Sequence, residues 1–87
     1  MKSELLAVKF SYTALIQFHR LPLRDKQYVV VLLSRLIEKV ENKKAALIDS
    51  SSDLPRYRYS NKRISIEFYI DSSLHIPVLL SIWMKTS

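Results

Sequence analysis

The segment Arg56-Tyr57-Arg58-Tyr59-Ser60-Asn61-Lys62-Arg63-Ile64-Ser65-Ile66-Glu67-Phe68-Tyr69-Ile70 decides the fold of this 87-residue chain. Successive side chains of a strand face opposite sides. Alternation puts Arg56, Arg58 and Ser60 on one side and Tyr57 and Tyr59 on the other. It also lines up Ile64, Ile66, Phe68 and Ile70 as an apolar face opposite Ser65, Glu67 and Tyr69. Ile, Tyr and Phe favour strands, and Ser60-Asn61 suits a turn. The segment reads as a β-hairpin, with strands over 56–59 and 63–70. Four cations, Arg56, Arg58, Lys62 and Arg63, crowd around its turn. Such a cluster repels itself unless solvent or an anion relieves it. It is either a solvated hairpin tip or a phosphate-binding face.

On the N-terminal side, Leu6, Val8, Phe10 and Tyr12 alternate with Ala7, Lys9 and Ser11, which predicts a first strand. Ser11 or Thr13 is a candidate cap for a short helix through Ala14–Arg20, and Pro22 either ends that helix or starts the next one. A second helix is expected from about Leu23 to Asn42, where Val29, Leu32, Leu33, Leu36, Ile37 and Val40 form a stripe at helical period. Its β-branched run Val29-Val30-Val31 weakens the first turns. Asp49-Ser50-Ser51-Ser52-Asp53 then reads as a loop, too short to separate domains. Past the hairpin, Asp71-Ser72-Ser73 is a turn. The nearly continuous apolar run Ile76–Met84 suits a central strand covered on both faces, with Trp83 in the core. The fold class is therefore α+β, a single domain over 1–87. A strand and two helices precede a three-stranded meander in a small antiparallel sheet, with the helices packed on one face.

The totals narrow the chemistry. At 48% hydrophobic and 25% charged, the composition is that of a globular protein rather than a disordered one. A net charge of +6 favours polyanions such as RNA, DNA or an acidic protein. There is no cysteine, which excludes disulfides, thiolate nucleophiles and Cys-ligated zinc. There is no glycine, which excludes the usual phosphate-cradling loops. No signal peptide or membrane-spanning run is visible, so a cytoplasmic protein is expected.

His19 and His75 have no partner at ligand spacing, and surface positions suit both better than catalysis. Glu67 is the one carboxylate beside the cationic cluster, as a base or as an ion-pair partner. What remains is chemistry done by cations. RNA cleaves itself when its 2′-hydroxyl attacks the adjacent phosphate. A protein accelerates this by orienting the attack and stabilising the phosphorane. Guanidinium groups meet phosphate with two parallel hydrogen bonds. Tyr57, Tyr59, Tyr69 and Trp83 are candidates for base stacking, weighed against core packing.

The chain resembles the RelE/ParE toxin superfamily of bacterial toxin–antitoxin systems, and the RelE branch in particular. Val8-Lys9-Phe10-Ser11-Tyr12-Thr13-Ala14-Leu15 and Arg20-Leu21-Pro22 are similar to the family's first strand and first helix end. Arg56 to Ile64 resembles its basic pair, turn, and arginine followed by a hydrophobic residue; Val78-Leu79-Leu80 resembles its last core strand. The resemblance implies an endoribonuclease that cuts mRNA on the ribosome and inhibits translation, with no cofactor or metal. It implies Arg63, Arg58 and Arg56 as catalytic residues, with Lys62, Lys85, Tyr57 and Tyr59 contacting nucleic acid. It also implies a cognate acidic antitoxin, with operator DNA bound through the antitoxin complex. Three positions depart from the family: Met84 stands where a late-strand arginine is expected, Ser60 replaces the hairpin glycine, and the sequence ends at Ser87 without the C-terminal tyrosine or histidine of some members. The alternatives are a non-catalytic ParE-like toxin acting on gyrase, or a degenerate member that mainly binds antitoxin and nucleic acid.

Overall fold

The computed structural model of the chain describes residues 8–49 and 54–85. The expected loop at 49–53 lies outside the described residues except for Asp49, as do positions 6 and 7 of the first strand. The elements run β1 (Lys9–Phe10), α1 (Tyr12–His19), α2 (Leu23–Leu33), α3 (Leu36–Glu41), β2 (Ala46–Asp49), β3 (Arg56–Ser60), β4 (Ile64–Asp71) and β5 (Ile76–Met84). The five strands form one sheet in the order β1-β5-β4-β3-β2. β5, β4, β3 and β2 pair antiparallel, while β1 joins β5 in parallel.

The pairing register fixes which side chains share a face. Phe10, Leu79, Phe68, Tyr57 and Leu47 form one row across all five strands. This row faces the helices, and Leu79 and Phe68 are fully buried in it. Ala14, Val29, Leu32, Leu33 and Leu36 from the helices close over Ile64, Ile66, Phe68, Leu79 and Ile82. The next row, Lys9, Val78, Tyr69, Arg56 and Asp49, points the other way. Among the described residues no helix covers that second face.

The structure corrects the sequence reading at four places. Tyr12 is not on the first strand: it opens α1 and is exposed, because Ser11 caps the helix there, its Oγ accepting from Ala14 N at 3.1 Å. The single helix expected over 23–42 is two. Ser34 Oγ donates to the Val31 carbonyl at 2.6 Å, and Arg35 N–H bonds back three residues to Leu32. Such local bonds compete with the helical ladder and bend it, here just after the β-branched run. The bend keeps Leu33 and Leu36 buried together. β2 is a strand that the sequence did not announce, since Ala46-Leu47-Ile48 is short and weak in β-propensity. Finally, β5 is not covered along both faces: Pro77, Val78 and Leu79 are buried in succession, but Trp83 near its end is exposed.

Among the described residues β1 is two residues long and pairs with Val78 and Leu79. Beyond it, side chains of α1 serve the outer edge of β5. Ser11 Oγ donates to the Leu80 carbonyl at 3.1 Å, and Gln17 Oε1 accepts from Ile82 N at 2.7 Å. An uncovered strand edge presents unpaired backbone groups; here a helix satisfies them. α3 ends with Lys43 at φ 60, Lys43 N–H on Val40 O and Lys44 N–H on Lys39 O, a Schellman motif with lysine where glycine is usual. At the β4–β5 turn, Asp71 Oδ1 accepts from Ser73 Oγ, Ser73 N and Leu74 N. No helix among the described residues is long and apolar enough to cross a membrane.

Two predictions follow from these contacts. Gln17→Leu keeps the bulk but leaves the Ile82 N–H unpaired, and should cost about 1–3 kcal/mol in thermal or urea unfolding. The bonds from Ser73, then Leu74, hold the Asp71 carboxyl below its ordinary range, with a further contribution from Lys9. A carboxylate depressed in the folded state stabilises it at pH above the unfolded value and loses that effect as pH falls through the folded value. Wild type should therefore lose stability below about pH 4 more steeply than Asp71→Asn, read from melting temperatures across that range.

Candidate functional site

The helix-free face of the sheet collects most of the cations singled out in the sequence. From β2 to β5 its rows are Asp49–Arg56–Tyr69–Val78, Ala46–Arg58–Glu67–Ser81, and Ser60–Ser65–Trp83. Arg56 donates to Asp49 Oδ2 at 3.3 Å. Arg58 grips Glu67 Oε2 from two nitrogens, with Nε at 3.1 Å. Both guanidiniums are close to half exposed. Ion pairs this exposed contribute about 0.2–1 kcal/mol each, so an incoming phosphate displaces them at small cost.

Lys85 joins this face. Its N–H bonds to the Arg63 carbonyl at 2.8 Å, which continues the β4–β5 ladder past Met84. Its Nζ donates to Ser60 Oγ at 2.7 Å. Met84, one residue earlier, pairs with Ile64 and packs on the helical side. The residue at the family's arginine position thus faces the core, and the cation beside it turns to the face of Arg58.

Arg63 does something different. Its guanidinium lies 3.9 Å above the Tyr28 ring and donates to Asp25 Oδ1 at 3.2 Å, both on α2. The turn that carries it is built by Asn61. Asn61 Oδ1 accepts from Arg63 N at 2.7 Å and Ile64 N at 3.0 Å, and its Nδ2 donates to Tyr28 Oη at 3.0 Å and Tyr59 Oη at 3.4 Å. One amide therefore closes the hairpin and ties it to the helix that holds Arg63. The structure brings Arg56, Arg58 and Lys85 onto one face, and aims Arg63 at α2. Lys62 is exposed in the turn between them.

Tyr57 and Tyr59 pack on the side opposite Arg56 and Arg58. Tyr57 stacks on Phe68 with ring centroids 5.8 Å apart, and Tyr59 lies under Lys39 Nζ at 5.2 Å. The aromatic most open on the arginine face is Trp83, which is 43% exposed. Its place in an apolar run hid this; its alternation with Ile82 and Met84, both turned to the core, was the available signal. Asp25 and Tyr28 gave no signal, being 38 and 35 positions from Arg63. Among the described residues no group of three or more His, Asp or Glu side chains is placed to hold a metal ion.

No protein-family model matches the chain, and no curated protein gives a significant match. Among solved structures it is similar to a chain of the toxin–antitoxin complex RelBE2 from Mycobacterium tuberculosis. That match has a TM-score of 0.71 and 17% identity, and covers 92% of this chain and 91% of that one. The fold is RelE-like.

The division of labour in the turn is measurable. Asn61→Ala removes both acceptor bonds of the turn and both links to tyrosine hydroxyls, and should cost about 1–3 kcal/mol. Asp25→Asn removes one exposed ion pair and should cost less than about 1 kcal/mol. Denaturant unfolding of the two variants gives the ranking.

Proposed function

We propose that this chain is the toxin of a toxin–antitoxin pair, a RelE-like endoribonuclease that cuts mRNA on the ribosome and so arrests translation. The observation that carries the reading is the alignment of Arg56, Arg58 and Lys85 on the helix-free face of a RelE-like sheet. In this reading Arg56, Arg58 and Lys85 hold the RNA backbone, each through charge-assisted hydrogen bonds to phosphate oxygens. Lys62 adds a phosphate contact at the turn.

Arg63 is the cation assigned to the phosphorane. Its backbone lies beside Lys85 in the strand ladder, but its guanidinium is held at α2 by Asp25 and Tyr28, so it has to leave them and swing round the hairpin turn to meet a phosphate on the face of Arg58 and Lys85. Exchanging Asp25 for a phosphate replaces one exposed anion by another, which keeps the cost of release small. In the reaction the 2′-oxygen gives up its proton and bonds to phosphorus, the bond from phosphorus to the 5′-oxygen breaks, that oxygen takes a proton from water, and the products are a 2′,3′-cyclic phosphate and a 5′-hydroxyl. Glu67, held by Arg58 on the same face, is the carboxylate assigned to receive the 2′-hydroxyl proton. A cytoplasmic site of action and an acidic antitoxin belong to the same reading, the antitoxin being drawn by the +6 charge.

The carboxylate partners of all three arginines and the inward turn of Met84 favour a second reading. In that reading the chain is a degenerate member that binds antitoxin and nucleic acid without cutting.

Primer extension on a translated mRNA separates the two. The first reading expects new cuts within codons, and a rate about 10²–10³-fold lower in Arg63→Ala or Arg58→Ala. An uncut message at high concentrations of folded protein, or cuts that persist in both variants, overturns it. A gyrase supercoiling assay on the same samples tests the non-catalytic toxin.

A further inference from the structure

We propose that Trp83 is the base-stacking platform of the helix-free face, holding one nucleobase of a single-stranded RNA whose phosphates lie on Lys85 and Arg58. This deepens the reading of the face as an RNA site, on which it rests, by naming the side chain that grips the base.

The surroundings of the indole carry the inference. Trp83 belongs to a strand whose neighbouring Ile82 and Leu79 are buried, yet it is 43% exposed. Its same-face neighbours are Ser65, directly across on β4, and Ser81, two residues back on β5. Both are small, and although Ser65 is itself buried, the ring keeps 43% of its surface open. Lys85 follows two residues on, anchored across the sheet to Ser60 Oγ. Arg58 and Glu67 occupy the row beyond Ser65. Among the described residues, its neighbours in the strand register are therefore hydroxyls and cations. A docking site for an apolar protein surface calls for a contiguous apolar patch. A lone aromatic between two cations matches a flat base joined to phosphates, the pattern by which single strands are held without sequence preference. Tyr57 and Tyr59 face the core side, and Tyr69 shares the arginine face beside Arg56 but is half-buried, which leaves Trp83 as the more exposed ring there.

The chain contains one tryptophan, so indole emission excited beyond the tyrosine absorption band reports on this side chain alone. The probe is a short 2′-O-methyl oligoribonucleotide, which has no 2′-hydroxyl to attack and cannot be cut. At low salt the intact protein should show saturable quenching of indole emission by the probe. Inorganic polyphosphate, which has charge but no base, should bind without that quench. By anisotropy of a labelled probe, Trp83→Ala should bind roughly 5- to 150-fold more weakly. Trp83→Phe, which keeps a ring, should retain most of the affinity. Trp83→Leu, which keeps apolar bulk for the fold, should bind as weakly as Trp83→Ala. The proposal is overturned if the wild type does not bind, if polyphosphate quenches as strongly as the oligonucleotide, or if Leu and Phe variants bind alike. Because the probe is not cleaved, the result stands apart from the primer-extension assay. Quenching without cleavage sinks the nuclease and leaves the platform, and cleavage without quenching does the reverse.

Discussion

The side-chain amide of Asn61 is the constraint on which the functional half of the molecule depends. A chain without glycine cannot use the usual left-handed hairpin turns cheaply. Asn61 folds its own oxygen back onto two following N–H groups instead, an Asx turn that fixes where β4 begins. Register follows from that start, and a slip of one residue would exchange the two faces of the sheet. Its amino group meanwhile meets Tyr28 and Tyr59. The turn, the helix above it and the placing of Arg63 are thus set by one half-buried side chain.

Charge is arranged on the same principle of short, reversible attachments. Arg56, Arg58 and Arg63 each have a carboxylate partner from another element, and the side chains of all three are close to half exposed. Water and salt screen such pairs. Their value lies less in stability than in keeping guanidiniums extended and oriented above the sheet, so that less rotamer freedom is lost when an anion arrives. Burying the same pairs would have made them harder to open.

Much of this was legible in the sequence. Strand alternation from Arg56 to Ile70 separated the arginine face from the tyrosine face, and the helical stripe from Val29 to Val40 marked the buried side of both α2 and α3. Composition and periodicity report local preference well. They do not report on side chains that act across the fold. The break at Ser34 hinges on one hydroxyl reaching back to Val31. β2 exists because β3 offers an edge to pair with, and its own residues barely favour a strand. Asp25 and Tyr28 become partners of Arg63 only once α2 lies beside the hairpin turn. Trp83 looked like core because its neighbours are apolar, and its exposure follows from a sheet that is covered on one side.

The position of β5 in the sheet has a consequence for how the protein comes into being. β5 is the last of the five strands in sequence, yet it lies between β1 and β4 and receives the Ser11 and Gln17 side chains from the other end of the chain. These contacts span 69 and 65 positions. Contacts so distant in sequence carry the greatest closure entropy and slow folding. A growing chain can form the α2–α3 bend and the β3–β4 hairpin as they emerge, but it has no central strand on which to assemble them. The core, the seat of α1 and the row containing Lys85 therefore come together in one late step. Arg56 and Arg58 can pair with β4 before that step, but Trp83 and Lys85 join them only when β5 docks.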